Sequence, residues 1–473
     1  MDNLRSQKLH IPNLWPAFEG WKRGVNSLYY PVRQDPETGK PFGDVDTIDG
    51  KSRLKRSIDL RLGELFRDDL VKLEKAKAVD IGLFASCLFP DSPYEILETA
   101  AFYCIWLFFW DDAIDSSDTG DNDIASTAEA GREYCRKSVS FIRCCLRLPE
   151  KDHPVRCPAP TKVCASFEDV ADRVREAWER GRKNPVDRWE YGLESFQKSL
   201  EMYMNACVVE QAWRLSSLGF QVPPEKEFWG WRLGTSSVNA FLNLSVILKD
   251  VYLYRDQLEF TDQKLAFHVN KLVVCINELF SLKKELKDRT GHMNLILITM
   301  YGSRDLNNLD AAIQKIVNDI HSHAAIFNRL ARTSQFRRSP SQEAREQFDK
   351  MVAAYQAVVD CRFAFLHRES EVWHIAKGPT ASSGWWVFGH PVSSFVVAIG
   401  SHPWDKVRGK KRKCTLLMIH TKMLVFSFFF RVLGSSGVVM SAPVGGTSIN
   451  GALRVVRPNQ ADEVLHIPTH PPP

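Results

Sequence analysis

Apolar residues recur at steps of three and four along most of the chain between residues 53 and 377, the spacing of one buried face of a helix. The segments LRLGELFRDDLVKLEKA (60–76), DVADRVREAWERGRK (169–183) and WEYGLESFQKSLEMYMNACVVEQAWRL (189–215) all follow it. Alternating apolar and polar positions, the mark of half-buried strands, are scarce there. No repeat period shows, and the predicted helices are long, which suits a single all-α domain over 53–377. Residues 1–52 are rich in Pro, Gly and aromatics and read as an irregular arm with short helical turns. Loops are expected at 116–123 (SSDTGDND) and at 148–165, where Pro, His and Cys cluster.

The pattern breaks near residue 378. From Gly378 to Ala461 the only acidic residue is Asp405, whereas the helices before it mix acids and bases throughout. WWVFGHPVSSFVVAIGSHPW and SSGVVMSAPVGGTSINGALRVV are β-branched and Gly/Ser/Pro-rich, with no amphipathic helical pattern. Residues 378–473 therefore read as a divergent tail, disordered or partly β, foreign to the helical domain.

One helical stretch runs against the logic of a core. AFYCIWLFFWDDAIDSSD (101–118) passes from bulky aromatics straight into Asp111, Asp112 and Asp115. Asp111 and Asp115, four apart, project from one helical face, and Asp112 lies about 100° away. Like charges at the negative end of a helix dipole repel, so a cation belongs beside them. Mg²⁺ takes oxygen ligands and usually one or two carboxylates. Taken alone, the row reads equally as a solvated acidic helix end. A second row changes that. CINELFSLKKELKD (275–288) sets Asn277, Ser281 and Glu285 at steps of four, an amide, a hydroxyl and a carboxylate oxygen along one helical stripe. An ordinary solvated face has no need of that order. Lys284, beside Glu285, is placed to reach an anion held by the metal.

DDAID followed far downstream by NELFSLKKE resembles the two metal motifs of class I terpene synthases, and of the fungal sesquiterpene cyclases related to trichodiene and aristolochene synthases in particular. IPNLWPAFEGWKRGVNSLYYPVRQD is similar to that family's N-terminal arm. FASCLFPDSPYEILETAAFYCIWLFFWDDAID and GHMNLILITMYGS are similar to the helices around its two motifs. The likeness spans about 10–376. It implies a helical bundle in which Asp111, with Asp115, holds two Mg²⁺ ions and Asn277, Ser281 and Glu285 hold a third. It also implies a diphosphate-sensing arginine about 45 positions before the second motif, where Arg232 stands. The implied reaction is ionisation of farnesyl diphosphate and cyclisation of the carbocation to a sesquiterpene. Arg232, Lys284 and the metals would stabilise the departing diphosphate. Phe84, Phe108 and Trp110 are candidates for a dry cavity wall, each with core packing as the plainer reading.

The chain departs from the family in two places. After Trp373 it reads HIAKGPTASSGWWVFG, without the Arg-Tyr pair that binds diphosphate in the family. This leaves a second expectation, a catalytically impaired homologue that binds diphosphate or a protein partner. The other departure is Glu278 in place of the usual Asp, which reads as a mild change because that position is not in the ligand stripe. A chain-elongating prenyltransferase would show two aspartate-rich motifs, and a protonation-initiated cyclase an Asp-x-Asp-Asp motif; neither is present.

Bulk properties narrow the remaining classes. A net charge of +5 on 473 residues does not suggest a nucleic-acid binder, and the one dense basic run, KVRGKKRKC (406–414), reads as a solvated face. Eleven cysteines without a C-x-x-C pair read as reduced thiols of an intracellular protein. The N-terminus lacks a secretory h-region, and TLLMIHTKMLVFSFFFRVL (415–433) is interrupted by His420 and Lys422. The expectation is a cytoplasmic protein without stable membrane insertion, a monomer or weak homodimer, with an isoprenyl diphosphate as its partner.

Overall fold

Side chains that can accept a backbone N–H stand where the apolar stripes begin, and they start the helices. Ser52 accepts from Lys55 N (3.3 Å), Asp69 from Lys72 N (2.9 Å) and Asp80 from Leu83 N (3.2 Å). Asn294 and Asn308 do the same for Ile296 N (2.9 Å) and Ala311 N (2.8 Å). The computed structural model describes residues 11–369 apart from 22–23, 35–39, 116–122, 147–156, 183–189, 217–220, 252–254, 288–290 and 304–307. The expectations for residue 373, for the basic and apolar runs of the tail and for most of the 116–123 loop lie outside the described residues.

In chain order the described helices are α1 (Arg53–Phe66), α2 (Leu70–Ala78), α3 (Ile81–Leu88), α4 (Tyr94–Asp115), α5 (Ala128–Leu146), α6 (Lys162–Ala165), α7 (Phe167–Arg182) and α8 (Glu190–Ser216). They continue with α9 (Glu225–Thr235), α10 (Val238–Leu248), α11 (Arg255–Lys287), α12 (Leu295–Gly302), α13 (Leu309–Thr333) and α14 (Gln342–Glu369). The described residues of the expected 148–165 loop thus include a short helix, α6, because Thr161 Oγ1 accepts from Cys164 N (3.0 Å) and nucleates a turn. The arm holds two 3₁₀ turns, Trp15–Phe18 and Ser27–Tyr29, and a two-residue antiparallel pair, β1 (Arg33–Gln34) with β2 (Pro41–Phe42), in which Arg33 faces Phe42. Trp21 Nε1 reaches Asn328 Oδ1 on α13 (2.8 Å), and Tyr29 OH reaches Asp80 Oδ2 (2.7 Å). The arm is thereby tied to both ends of the helical array.

α4 is apolar on every side and sits at the centre, as such a helix must. Residues 97 to 110 are buried apart from Glu98, and α4 packs against α1, α3, α7 and α8. α11 lies against α13 and α14. Its stretch Gln263–Leu286 has the length and apolarity of a membrane span, and most of it is buried inside the protein. The two candidate ligand rows thus sit on two deeply packed helices, one at the C-terminal end of α4 and the other near the C-terminal end of α11.

α8 and α9 approach closely because Gly234 has no side chain. A Cβ there would come within 2.4 Å of Ala206 Cβ. Alanine at 234 gains up to about 1 kcal/mol of helix propensity, against about 1–3 kcal/mol for overpacking. The expected result for Gly234→Ala is a net loss of stability on the order of 1 kcal/mol in denaturant unfolding, with a fall in activity because Arg232 lies two residues away.

Candidate active site

The end of α4 sets Asp111 and Asp115 beside α8. Asp111 Oδ1 accepts hydrogen bonds from Tyr203 OH (2.8 Å) and from the Cys207 thiol (3.4 Å). Burial, then the neighbouring Asp115 carboxylate, push the Asp111 carboxyl up to about 8. Asp115 Oδ1 is ion-paired with Arg214, and its Oδ2 is buried with no hydrogen-bond partner among the described residues. Asp111 and Asp115 are half-buried, whereas Asp112, on the neighbouring face, is buried. Gln211 Nε2 donates to the carbonyls of Ile114 (3.2 Å) and Ile124 (2.9 Å), fixing α8 against the helix end.

On α11, Asn277, Ser281 and Glu285 are all buried. Glu285 Oε2 accepts from Asn294 Nδ2 (3.1 Å), the residue that caps α12. Burial and the adjacent Glu278 push the Glu285 carboxyl up to about 7. Lys284, half-buried, stands next to it.

Arg232 and Glu210 lie between the rows. Arg232 donates from Nε (3.0 Å) and Nη2 (2.7 Å) to Glu278 Oε1, and from Nη1 to Thr235 Oγ1 (3.3 Å). Glu278 in turn accepts from Leu295 N (3.0 Å) and from Asn277 Nδ2 (3.2 Å). Glu278, expected only to be a mild change outside the ligand stripe, thus has a structural partner of its own. Glu278 is the anchor of Arg232, and its partner lies 46 positions away, invisible in the local pattern. Glu210 on α8 is 1% exposed. Burial pushes its carboxyl up to about 6, while Arg214 and Arg232 oppose the rise. Asp111, Asp115, Arg214, Glu210, Arg232, Glu278 and Glu285 thus form an unbroken series of mutually interacting charges that runs from one row to the other.

The aromatic expectations divide. Phe84 meets Phe108 edge to face at 5.6 Å and Phe241 at 5.8 Å; Tyr103 meets Phe241 at 5.1 Å. These rings make one cluster of α3, α4 and α10. Trp110 belongs elsewhere: it stacks on Tyr134 at 5.4 Å and donates from Nε1 to Ser138 Oγ (2.9 Å), which is core packing against α5.

A hard divalent cation fits this donor set. The donors are oxygens only, two like-charged carboxylates lie one turn apart, and Asp115 keeps an orphaned buried oxygen. No three His, Cys, Asp or Glu side chains form a compact cluster among the described residues, so a cation at either row would draw on amide or hydroxyl oxygens or on ligands from outside the chain. Sequence reasoning missed Tyr203, Cys207, Glu210, Arg214 and Asn294. The first four follow steps of four, three and four along α8, a readable stripe hidden among the other polar residues of that helix, such as Glu194, Gln197, Lys198 and Glu201.

Residues 103–325 match the model of the family described as terpene synthase family 2, C-terminal metal binding. Both oxygen rows, Arg232 and the α8 stripe fall inside that span. The chain is 23% identical over 335 residues to the sesquiterpene cyclase hepA of Aspergillus oryzae, covering 69% of this chain and 79% of that relative. It is 27% identical over 236 residues to 10-epi-cubebol synthase of Sorangium cellulosum, covering 49% and 65%. The solved structure of germacradien-4-ol synthase from Streptomyces citricolor has the same fold, with a TM-score of 0.51 at 15% identity, over 76% of this chain and 98% of that one.

Proposed function

We propose, from the premise that this chain belongs to the terpene synthase family and is a terpene cyclase, that it ionises farnesyl diphosphate with Mg²⁺ and cyclises the cation to a sesquiterpene. Asp111 and Asp115 would hold two Mg²⁺ ions, and Asn277, Ser281 and Glu285 a third. Bound Mg²⁺ supplies Lewis-acid stabilisation of the negative charge that grows on the departing diphosphate. The single observation that supports this reading most is the series of charges, buried or half-buried, that runs from Asp111 and Asp115 on one row to Glu285 on the other.

Each residue then has a task. Tyr203 and Cys207 fix Oδ1 of Asp111 and so orient its carboxylate. Arg232, held from two of its nitrogens by Glu278, contributes a fixed positive charge that needs no reorganisation when the C–O bond breaks. Lys284 adds a second cation beside Glu285. The cluster of Phe84, Phe108, Tyr103 and Phe241 excludes water, and an aromatic face in such a dry setting stabilises a carbocation by about 1–2 kcal/mol.

The full chain incubated with farnesyl diphosphate and Mg²⁺ is expected to release a hydrocarbon or terpene alcohol detectable by gas chromatography, with geranyl and geranylgeranyl diphosphates turned over less well. The lack of an Arg-Tyr pair after Trp373 favours a second reading, an impaired homologue that binds diphosphate without turning it over. Retained diphosphate binding with no volatile product would establish that reading instead.

A further inference from the structure

One face of α8 meets the end of α4 with a stripe of polar side chains that bind no substrate atom in the reading above. Tyr203, Cys207, Glu210, Gln211 and Arg214 all point there, and four of the five hydrogen-bond or ion-pair directly to Asp111, Asp115 or the backbone of Ile114. Arg214 sits on Asp115 Oδ1, the place where a cation belongs by the like-charge argument. Glu210 Oε2, one turn back along the same helix, is buried and has no hydrogen-bond partner among the described residues. An acceptor so placed, within the field of both Arg214 and Arg232, is a second berth for the Arg214 guanidinium.

We propose that Arg214 is a positioning residue that stands in for the metal at Asp115 in the metal-free enzyme and is displaced toward Glu210 when the metal enters. The proposal rests on the reading that Asp111 and Asp115 take Mg²⁺. Without a counter-cation, two half-buried carboxyls one turn apart cannot both carry charge at low cost, and the end of α4 is destabilised. With Arg214 in place, the end of α4 is set before any metal arrives, and Mg²⁺ must compete for one oxygen. Removing Arg214 therefore removes a competitor: metal binding tightens although the protein loses a half-buried ion pair. A merely structural arginine predicts the opposite, weaker binding together with lower stability.

The test is calorimetric titration of the purified full chain with Mg²⁺ alone, no diphosphate present, alongside thermal unfolding. Arg214→Gln is expected to bind Mg²⁺ several-fold more tightly than the parent, Arg214→Lys about as the parent does, and Glu210→Gln several-fold more weakly. In an Asp115→Asn background, Arg214→Gln is expected to leave Mg²⁺ affinity unchanged, because the coupling passes through Asp115. Weaker or unaltered Mg²⁺ binding in Arg214→Gln, or an equal effect of that change with and without Asp115, would overturn the proposal. Should Arg214→Gln fail to fold, Glu210→Gln decides: unaltered affinity there overturns it. Parent protein that binds Mg²⁺, together with an Asp111→Asn variant that does not, upholds the metal site whatever Arg214 does. Absence of Mg²⁺ binding by the parent itself would remove the metal reading and this inference with it.

Discussion

Asp111→Asn is expected to lower Mg²⁺-dependent turnover by about 10²–10⁴-fold, the equivalent of several kcal/mol of lost charge stabilisation at the departing group, while the protein stays folded. The carboxamide oxygen can still accept from Tyr203 and Cys207, whose bonds hold residue 111 in place. Substitution also replaces a carboxyl that burial and Asp115 already disfavour in its charged form, so thermal unfolding should be unchanged or slightly raised. The two outcomes together are diagnostic. A structural carboxylate would show loss of stability with little specific loss of turnover at saturating substrate, whereas a metal ligand shows the reverse. Steady-state kinetics at several Mg²⁺ concentrations, beside a melting curve of the same preparation, separates them.

Arg232→Gln should have the largest effect on stability. It leaves Glu278 buried without its cation, and breaking a buried pair from one side costs about 3–5 kcal/mol. The Arg232→Gln/Glu278→Gln double variant is expected to recover most of that loss, because the uncompensated charge disappears with the second change. Activity should not recover with it, since the fixed positive charge near the diphosphate is still missing. Denaturant unfolding of the two variants gives the first comparison, and turnover the second. Recovery of activity in the double variant would reduce Arg232 to a scaffold for Glu278.

The helical architecture was readable because its causes are local. Stripes at steps of three and four mark the helices, whereas the capping roles of Ser52, Asp69, Asp80, Asn294 and Asn308 came from the structure. The aspartate row stood out because carboxylates interrupt a buried aromatic run. The Asn277–Ser281–Glu285 row stood out because four-residue spacing alone puts three oxygens on one face. What could not be read depends on partners distant in sequence. Glu278 looked incidental until Arg232 was found on it, 46 positions away. Tyr203, Cys207, Glu210 and Arg214 do not stand out because α8 mixes polar and apolar residues on its outward side too, where Met202 and Val209 are exposed beside Glu194, Lys198 and Asn205. Trp110 follows directly in sequence on the cluster ring Phe108 and its neighbour Phe109, and only the fold turns it toward Ser138 and away from Phe84.

The central claim is that the oxygens of α4 and α11 serve one metal–diphosphate assembly. Crystals of the full chain soaked with Mg²⁺ and inorganic diphosphate test it most directly. The account predicts metal density on Asp111 and separate metal density on Asn277, Ser281 and Glu285, with a single diphosphate touching both. Metal on one row only, or two rows whose metals share no diphosphate, would contradict it.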